Sequence, residues 1–384
     1  MARLAPLLLA ASLPLLTPVP TRAQPPPASP ASPAPSRPSS VLSGYMDFHF
    51  NKEDLQDGRL DFHRFVLLFT HSFSDRLRFI GELELEHAFV EGFEKAGELE
   101  LEQAYLDVLV ARSVNVRAGM LLVPVGIINE RHEPPVYYGV ERPFVDTVIV
   151  PSTWFEAGAG VHGEVGWGIR YRAYVMSPLD AAGFGAEEGV RGGRQKGANA
   201  NVGRPAATGR VEWVGHPGLA LGGSFWTGRS GFEFRPRFEV PVTLFEVDAR
   251  YAPTDRIETR AQFAQISIDR AGELNDTLTR QTGVNPNIAR SLRGFYLEAG
   301  YRVVSGAQAG EVGVFGRYEN FDTQRRMPDG YLPLKQFDRD SWTVGAAYWP
   351  DPDVAVKIDY TFLRNQSEVV KAANMFNIGL GWWF

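Results

Sequence analysis

Residues 353–365 read DVAVKIDYTFLRN, and taken by twos they separate cleanly. Val354, Val356, Ile358, Tyr360 and Phe362 fall on one side, with Ala355, Lys357, Asp359 and Thr361 on the other. A period of two is that of a β-strand with one apolar and one polar face, because a helix repeats about every 3.6 residues. The same separation sets Phe295, Leu297, Ala299, Tyr301 and Val303 against Tyr296, Glu298, Gly300 and Arg302. It returns in the closing MFNIGLGWWF, 375–384, where Phe376, Ile378, Leu380, Trp382 and Phe384 oppose Asn377, Gly379, Gly381 and Trp383.

Working outward from these segments, the pattern predicts strands at 43–50, 59–73, 76–88, 98–110, 114–122, 154–165, 168–177, 204–215, 218–227, 238–251, 255–268, 291–303, 309–321, 340–349, 353–365 and 373–384. Their number, sixteen, is even, and their connections alternate. Short turns at 74–75, 112–113, 166–167, 216–217, 253–254, 305–310 and 350–352 are rich in Gly, Pro, Asp and Ser, the residues turns prefer. Longer connections at 51–58, 89–97, 123–153, 178–203, 228–237, 269–290, 322–339 and 366–372 lie between them. A soluble sandwich shares the apolar and polar alternation but has no reason to alternate its loop lengths, whereas a transmembrane barrel does both. The expected fold is therefore all-β, an antiparallel transmembrane β-barrel. Aromatics near predicted strand ends, Trp213, Tyr251, Tyr318, Phe321, Tyr348, Trp349 and Trp382 to Phe384, suit the girdles of such a barrel.

The first 23 residues combine Arg3, a leucine-rich run and a small residue at Ala23, the form of a cleaved export signal. Pro6, Pro14, Pro18 and Pro20 interrupt the run too often for a membrane-spanning helix. Residues 24–42, rich in Pro, Ala and Ser, read as a solvated linker, leaving 43–384 for the barrel. The chain has no cysteine, which removes disulfides, thiolate metal sites and cysteine nucleophiles. A net charge of −6 argues against nucleic acid as a partner.

If the apolar faces meet lipid, the polar faces line a lumen. Glu82, Glu84, Glu86, Glu258, Arg260, Arg317, Glu319, Lys357 and Asp359 would form its wall, joined by Arg78, Glu98, Glu100, Glu102, Glu246, Asp248 and Arg250. Ionised groups in this number need water or close pairing. The long third connection, 123–153, has too many apolar residues to wave in solvent. Folded into the lumen, it would set Ile127, Ile128, Val136, Tyr137 and Tyr138 against the wall. Arg131, His132, Glu133, Glu141 and Arg142 would then face a narrowed passage, where rings of charge discriminate ions. An external cap or a contact between subunits is the other use for such a loop.

The stretch RAGMLLVPVGIINERHEPPVYYGVERPFVDTVIVPSTWFEAGAGVHG, 117–163, resembles the strand, Pro-x-Gly turn and Glu-Arg third loop of the phosphate-selective porin superfamily of Gram-negative outer membranes. The likeness is carried by Gly119, Pro124, Gly126, Glu141 and Arg142, with the Glu102 to Tyr105 approach and the terminal Phe384, and extends over about 43–384. It implies a trimeric sixteen-stranded porin in outer-membrane lipid, a third loop that constricts the pore, and a C-terminal aromatic strand read by the assembly machinery. The mixed and acidic wall departs from the basic lumen of phosphate-selective members, so a channel for small hydrophilic solutes or ions is expected, without phosphate specificity.

Catalytic motifs are missing. GAGVHG at 158–163 fits a dinucleotide fingerprint but leads into alternating sequence where a helix is needed, and His132–Glu133 is followed by two prolines instead of H-E-x-x-H spacing. No cofactor or metal is expected. A hydrolase assembled from His63, His71 or His87, or a non-conducting barrel presenting 178–203 and 269–290 as contact loops, are the competing readings.

Overall fold

The computed structural model describes residues 38–88, 97–231, 238–307 and 309–384. The signal-like segment 1–23 and most of the linker 24–42 lie outside them. Sixteen antiparallel strands pair in chain order, and the last pairs with the first to close a barrel. They are β1 (Ser39–Glu53), β2 (Arg59–Ser74), β3 (Leu77–Glu86), β4 (Glu98–Ala111), β5 (Val114–Leu122), β6 (Phe155–Val165), β7 (Ile169–Met176), β8 (Ala206–His216), β9 (Leu219–Ser230), β10 (Val240–Tyr251), β11 (Ile257–Ile268), β12 (Ser291–Ala307), β13 (Gly310–Arg326), β14 (Asp338–Asp351), β15 (Val354–Asn365) and β16 (Met375–Trp383). The strand centres fall where the alternation places them, and β1 starts four residues earlier than expected, inside the stretch read as linker.

Closure is made by β16 against β1, in register from Tyr45 opposite Trp383 to Glu53 opposite Met375. Gly44 and Phe384 exchange backbone hydrogen bonds, each amide donating to the other's carbonyl at 2.9 Å. A side chain at Gly44 would not fit, since a Cβ there would lie 2.2 Å from the Val66 carbonyl oxygen and 2.7 Å from the Phe384 ring.

Alternation decides which way each residue looks. On β15, Ile358 is 45% exposed while Lys357 is 3% exposed, and on β16 Ile378 and Leu380 are exposed while Asn377 is buried. Leu106, Val108, Phe225, Phe245, Leu297, Val344, Val356 and Phe362 join the outward set, giving the barrel a broad apolar outer surface. A surface of this kind is suited to hydrocarbon, not water. Tyr251 and Tyr348 belong to it, but Phe321 and Trp349 do not. These two fall on the inward parity, where Phe321 stacks on Phe144 with centroids 5.1 Å apart and Trp349 meets Tyr138 edge-on at 5.8 Å.

Several of the long connections carry structure of their own. A helix, α1 (Ala271–Thr282), sits in the connection 269–290 and buries Ala271, Leu274 and Leu278. With Leu179, Phe184 and Val190 of 178–203, these residues join one apolar core with Val123, Val125, Ile127, Ile128, Val145, Ile149 and Val150.

The absence of native cysteine makes single-cysteine labelling clean. In intact membranes, Ile358→Cys should resist a membrane-impermeant maleimide, whereas Val369→Cys, 90% exposed in a long connection, should react readily. Equal labelling at the two positions would contradict a lipid-facing outer surface.

Candidate functional site: the barrel interior and segment 123–153

The barrel's inward side chains and segment 123–153 together make one polar and apolar interior. At the neck of the segment, Asn129 ties its two ends. The Asn129 amide donates to the carbonyls of Val123 at 2.8 Å and Trp154 at 2.9 Å, and its Oδ1 accepts from the Trp154 amide at 2.8 Å.

Further along, Lys357 on β15 gathers the segment's backbone. Its Nζ donates to the carbonyls of Pro134 (2.5 Å), Tyr137 (2.6 Å) and Gly139 (2.8 Å), and stands 4.1 Å from the centre of the Tyr137 ring. The Val140 amide donates to Asp359 Oδ2 at 2.6 Å, and the Val145 amide to Glu319 Oε2 at 3.1 Å. Ile127 donates its amide to Gln262 Oε1 at 2.8 Å, and Gln262 Nε2 donates to Asp146 Oδ1 at 2.7 Å. Wall glycines make this approach possible: a Cβ at Gly300 would sit 2.3 Å from the Tyr138 ring, and one at Gly381 2.6 Å from Pro134. Alternation had assigned Lys357, Asp359 and Glu319 to the inner wall, but pattern alone gives no hint that they hold loop backbone.

The expectation of a freely hydrated charged wall is modified by this packing. Glu82, Glu84, Arg260, Arg317, Glu319, Lys357 and Asp359 are all 6% exposed or less. The buried arginines are compensated by pairing: Arg317 with Glu319 at 2.9 Å and Glu298 at 3.2 Å, Arg260 with Glu258 at 2.6 Å, and Arg210 with Asp248 at 2.7 Å and Glu246 at 3.3 Å. A buried ion is tolerated only with such partners. Glu86, Glu98 and Glu100 keep more exposure, and Lys196 of 178–203 pairs with Glu100.

The five residues expected at a constriction part company. His132 is 2% exposed and turns toward Glu82 and Glu102, while Arg142, 9% exposed, donates to Ser152 Oγ at 3.4 Å. Glu141 bonds His49 at 3.0 Å and Asn51 at 2.8 Å. Glu133 is half-buried. Arg131 borders a small, partly enclosed polar cleft, lined also by Gly126, Ile127, Glu130, Arg172, Arg210, Glu212 and Arg250. Across it Arg172 pairs with Glu130 at 3.0 Å, and Arg250 pairs with Glu212. Arg172, Arg210 and Glu212 went unremarked in the sequence, although they occupy inward positions of β7 and β8 by the same parity that identified Lys357.

Protonation follows burial. Burial pulls the His132 imidazole down to about 4, and the Arg142 charge reinforces the effect. Burial also pushes the Asp146 carboxyl up to about 7, opposed by the Gln262 hydrogen bond and helped by the Glu319 charge.

No protein-family model matches the chain. A protein of Aquifex aeolicus (strain VF5), described as an uncharacterized protein, is 32% identical over 352 residues, spanning 89% of this chain and 79% of its own length. Among solved structures, Salmonella typhi OmpF in complex with daunomycin superposes with a TM-score of 0.60 at 11% identity, covering 90% of this chain and 97% of that one. The outer-membrane channel DcaP of Acinetobacter baumannii gives 0.60 at 12% identity over 91% and 98%, and the anion-selective porin from Comamonas acidovorans 0.57 at 14% over 91% and 100%. At such identities the shared property is the fold alone.

Two outcomes follow from the anchoring. Lys357→Met should leave three buried carbonyls without a donor and cost about 3 kcal/mol in denaturant unfolding, at about 1 kcal/mol or more for each unsatisfied group. The circular dichroism of the barrel should persist while proteolysis within 123–153 accelerates. Asp146 has its folded-state pKa raised to about 7, so its contribution is favourable below the unfolded value of about 3.9 and is lost as pH rises through 7. Asp146→Asn should therefore gain stability over the native chain at pH 8 and lose that advantage at pH 4, read from unfolding midpoints.

Proposed function

This chain belongs to one family with the Aquifex aeolicus protein, and we propose that it serves in the Gram-negative outer membrane as a porin, a passive diffusion channel for small hydrophilic solutes or ions. Residues 1–23 act as the export signal, cleaved near Ala23, and the Pro-rich stretch that follows is a solvated linker ahead of the barrel. The barrel assembles as a homotrimer through the outer-membrane machinery, which reads the aromatic end at Phe384. Transport needs no covalent step, because a hydrated lumen removes the cost of carrying charge through hydrocarbon.

The observation that carries this reading is the cleft inside the closed barrel, where Arg131 of segment 123–153 faces Arg172, Arg210 and Arg250 of the wall. Segment 123–153 is the constriction, with Arg131, Glu133 and Glu141 nearest the solute path and His132 and Arg142 fixing its shape. Arg172, Arg210 and Arg250 are paired with Glu130, Asp248 and Glu212, so among the four it is Arg131, with no carboxylate at salt-bridge distance, that is left to meet an anion. Of the acidic run, Glu82, Glu84 and Glu102 are withdrawn into buried contacts, while Glu86, Glu98 and Glu100 stay partly exposed. Phosphate is one anion such a cleft could pass.

A second reading has its own support. The near-complete burial of Arg64, Glu246 and Lys357 suits a barrel closed by its own segment and acting as a surface or scaffold protein. Planar-bilayer recording separates the two. A porin gives stepwise conductance, with a reversal potential in a KCl gradient on the anion-selective side. The double variant Arg172→Gln, Arg250→Gln should lower the chloride to potassium permeability ratio by a factor of about 2 or more. Folded protein that gives no steps is a closed barrel, and an unchanged ratio would remove the arginine cleft from the solute path.

A further inference from the structure

Glu82, Glu102 and His132 meet where β3, β4 and segment 123–153 converge, and all are 3% exposed or less. The His132 Nδ1 lies 3.1 Å from the Asn129 carbonyl oxygen, which can only accept, so Nδ1 carries the proton. The neutral ring then presents the Nε2 lone pair. That atom points at Glu102 Oε2, 3.2 Å away, and lies 4.0 Å from Glu82 Oε1. Neither His132 Nε2 nor Glu102 Oε2 has a hydrogen-bond partner. Acceptors from three side chains are therefore aimed at one buried point with no donor between them, an arrangement that a bound cation or a shared carboxyl proton relieves.

We propose that Glu82, Glu102 and His132 bind one divalent transition-metal ion of the zinc class, which staples segment 123–153 to β3 and β4. One imidazole nitrogen with two carboxylate oxygens suits zinc better than calcium or magnesium, which take oxygen alone. Bonds of about 2.0 Å at tetrahedral angles set donor atoms roughly 3.3 Å apart, so the three are nearly in place and Glu82 closes the remaining gap. Outer contacts hold the ligands as metal sites require. Asn129, which ties the segment's neck, receives the His132 N–H; Tyr45 donates to Glu82 Oε1 at 3.4 Å, and Gln103 donates to Glu82 Oε2. Glu84, beside them, has Arg64 at 3.7 Å, so Glu82 and Glu102 supply the charge a dication neutralises.

Neighbouring clusters are chemically worse. His63 Nε2 already accepts from the Arg64 guanidinium at 2.7 Å while its Nδ1 faces Asp61 at 3.2 Å, leaving its ring no free lone pair. His49 is bracketed by Asp47 at 3.1 Å and Glu141 at 3.0 Å.

The test uses the untagged, full-length barrel in detergent, stripped with a chelator and dialysed against micromolar zinc chloride. Elemental analysis should find one zinc per chain, and X-ray absorption of the loaded native protein should find one imidazole with oxygen ligands. His132→Gln should bind at least tenfold more weakly, while His87→Gln binds as the native chain does. Lack of stoichiometric uptake, a shell with two or more imidazoles, or undiminished binding by a folded His132→Gln variant would overturn the site. The spectrum of the native protein decides the matter even where a variant fails to fold.

Discussion

A sheet surrounded by hydrocarbon has nowhere to leave an unpaired strand edge, because each bare N–H or C=O there costs several kcal/mol. Everything else in this molecule follows from meeting that demand. The terminal strand has to come back to the first, and it does so through the reciprocal Gly44 and Phe384 hydrogen bonds at 2.9 Å. With the ring closed, strand parity acquires a meaning that it lacks in an open sheet: one face must be the outside of a cylinder and the other its inside. The greasy chain end is then the last stave of the wall, with Trp382 outward and Trp383 inward, where its ring lies 5.8 Å from that of Tyr45 at the barrel's end.

The inside faces a different demand. Ionisable side chains crowd the inward positions, and segment 123–153 adds its own. Lys357 shows how the two are fitted together, since a wall cation that would be costly if left bare is satisfied by three loop carbonyls. Arg260 and Arg317 are instead paired with carboxylates two residues along their own strands, Glu258 and Glu319, and Arg210 reaches Asp248 two strands away. These contacts are directional and buried, so they fix where the segment lies more tightly than apolar packing alone would. The apolar groups Val125, Ile128, Val145 and Ile149 contribute burial, at about 25 cal/mol per Å² of apolar surface removed from water.

Much of the fold was legible because strand alternation is a local property. Sixteen strands, their order and nearly all of their boundaries can be read from a period of two and from turn residues. The parity of Lys357 against Ile358 and of Asn377 against Leu380 came out of the same reading. The aromatic girdle was over-assigned for an equally local reason. Phe321 and Trp349 sit near strand ends beside outward aromatics, but a shift of one residue turns them inward, under Phe144 and Tyr138. The interior was less legible. That segment 123–153 needed an apolar surface to pack on was evident, yet the sequence could not tell that His132 turns back to the wall while Arg131 stays at the cleft, because consecutive loop residues follow no fixed period.

The amino-acid sequence by itself thus determined the barrel: alternation, loop lengths and a C-terminal apolar face are short-range signals, and closure follows from the chemistry of an unpaired edge in lipid. Only the tertiary structure decided how the charges are used. Glu82 on β3, Glu102 on β4 and His132 some thirty residues later converge, and Arg131 meets Arg172, Arg210 and Arg250, through strand register and the path of one connection. Neither is encoded in any window of neighbouring residues. Whether an inward charge is buried in a pair or left beside water depends on which segment comes to cover it, and that is set by the packing of the whole interior at once.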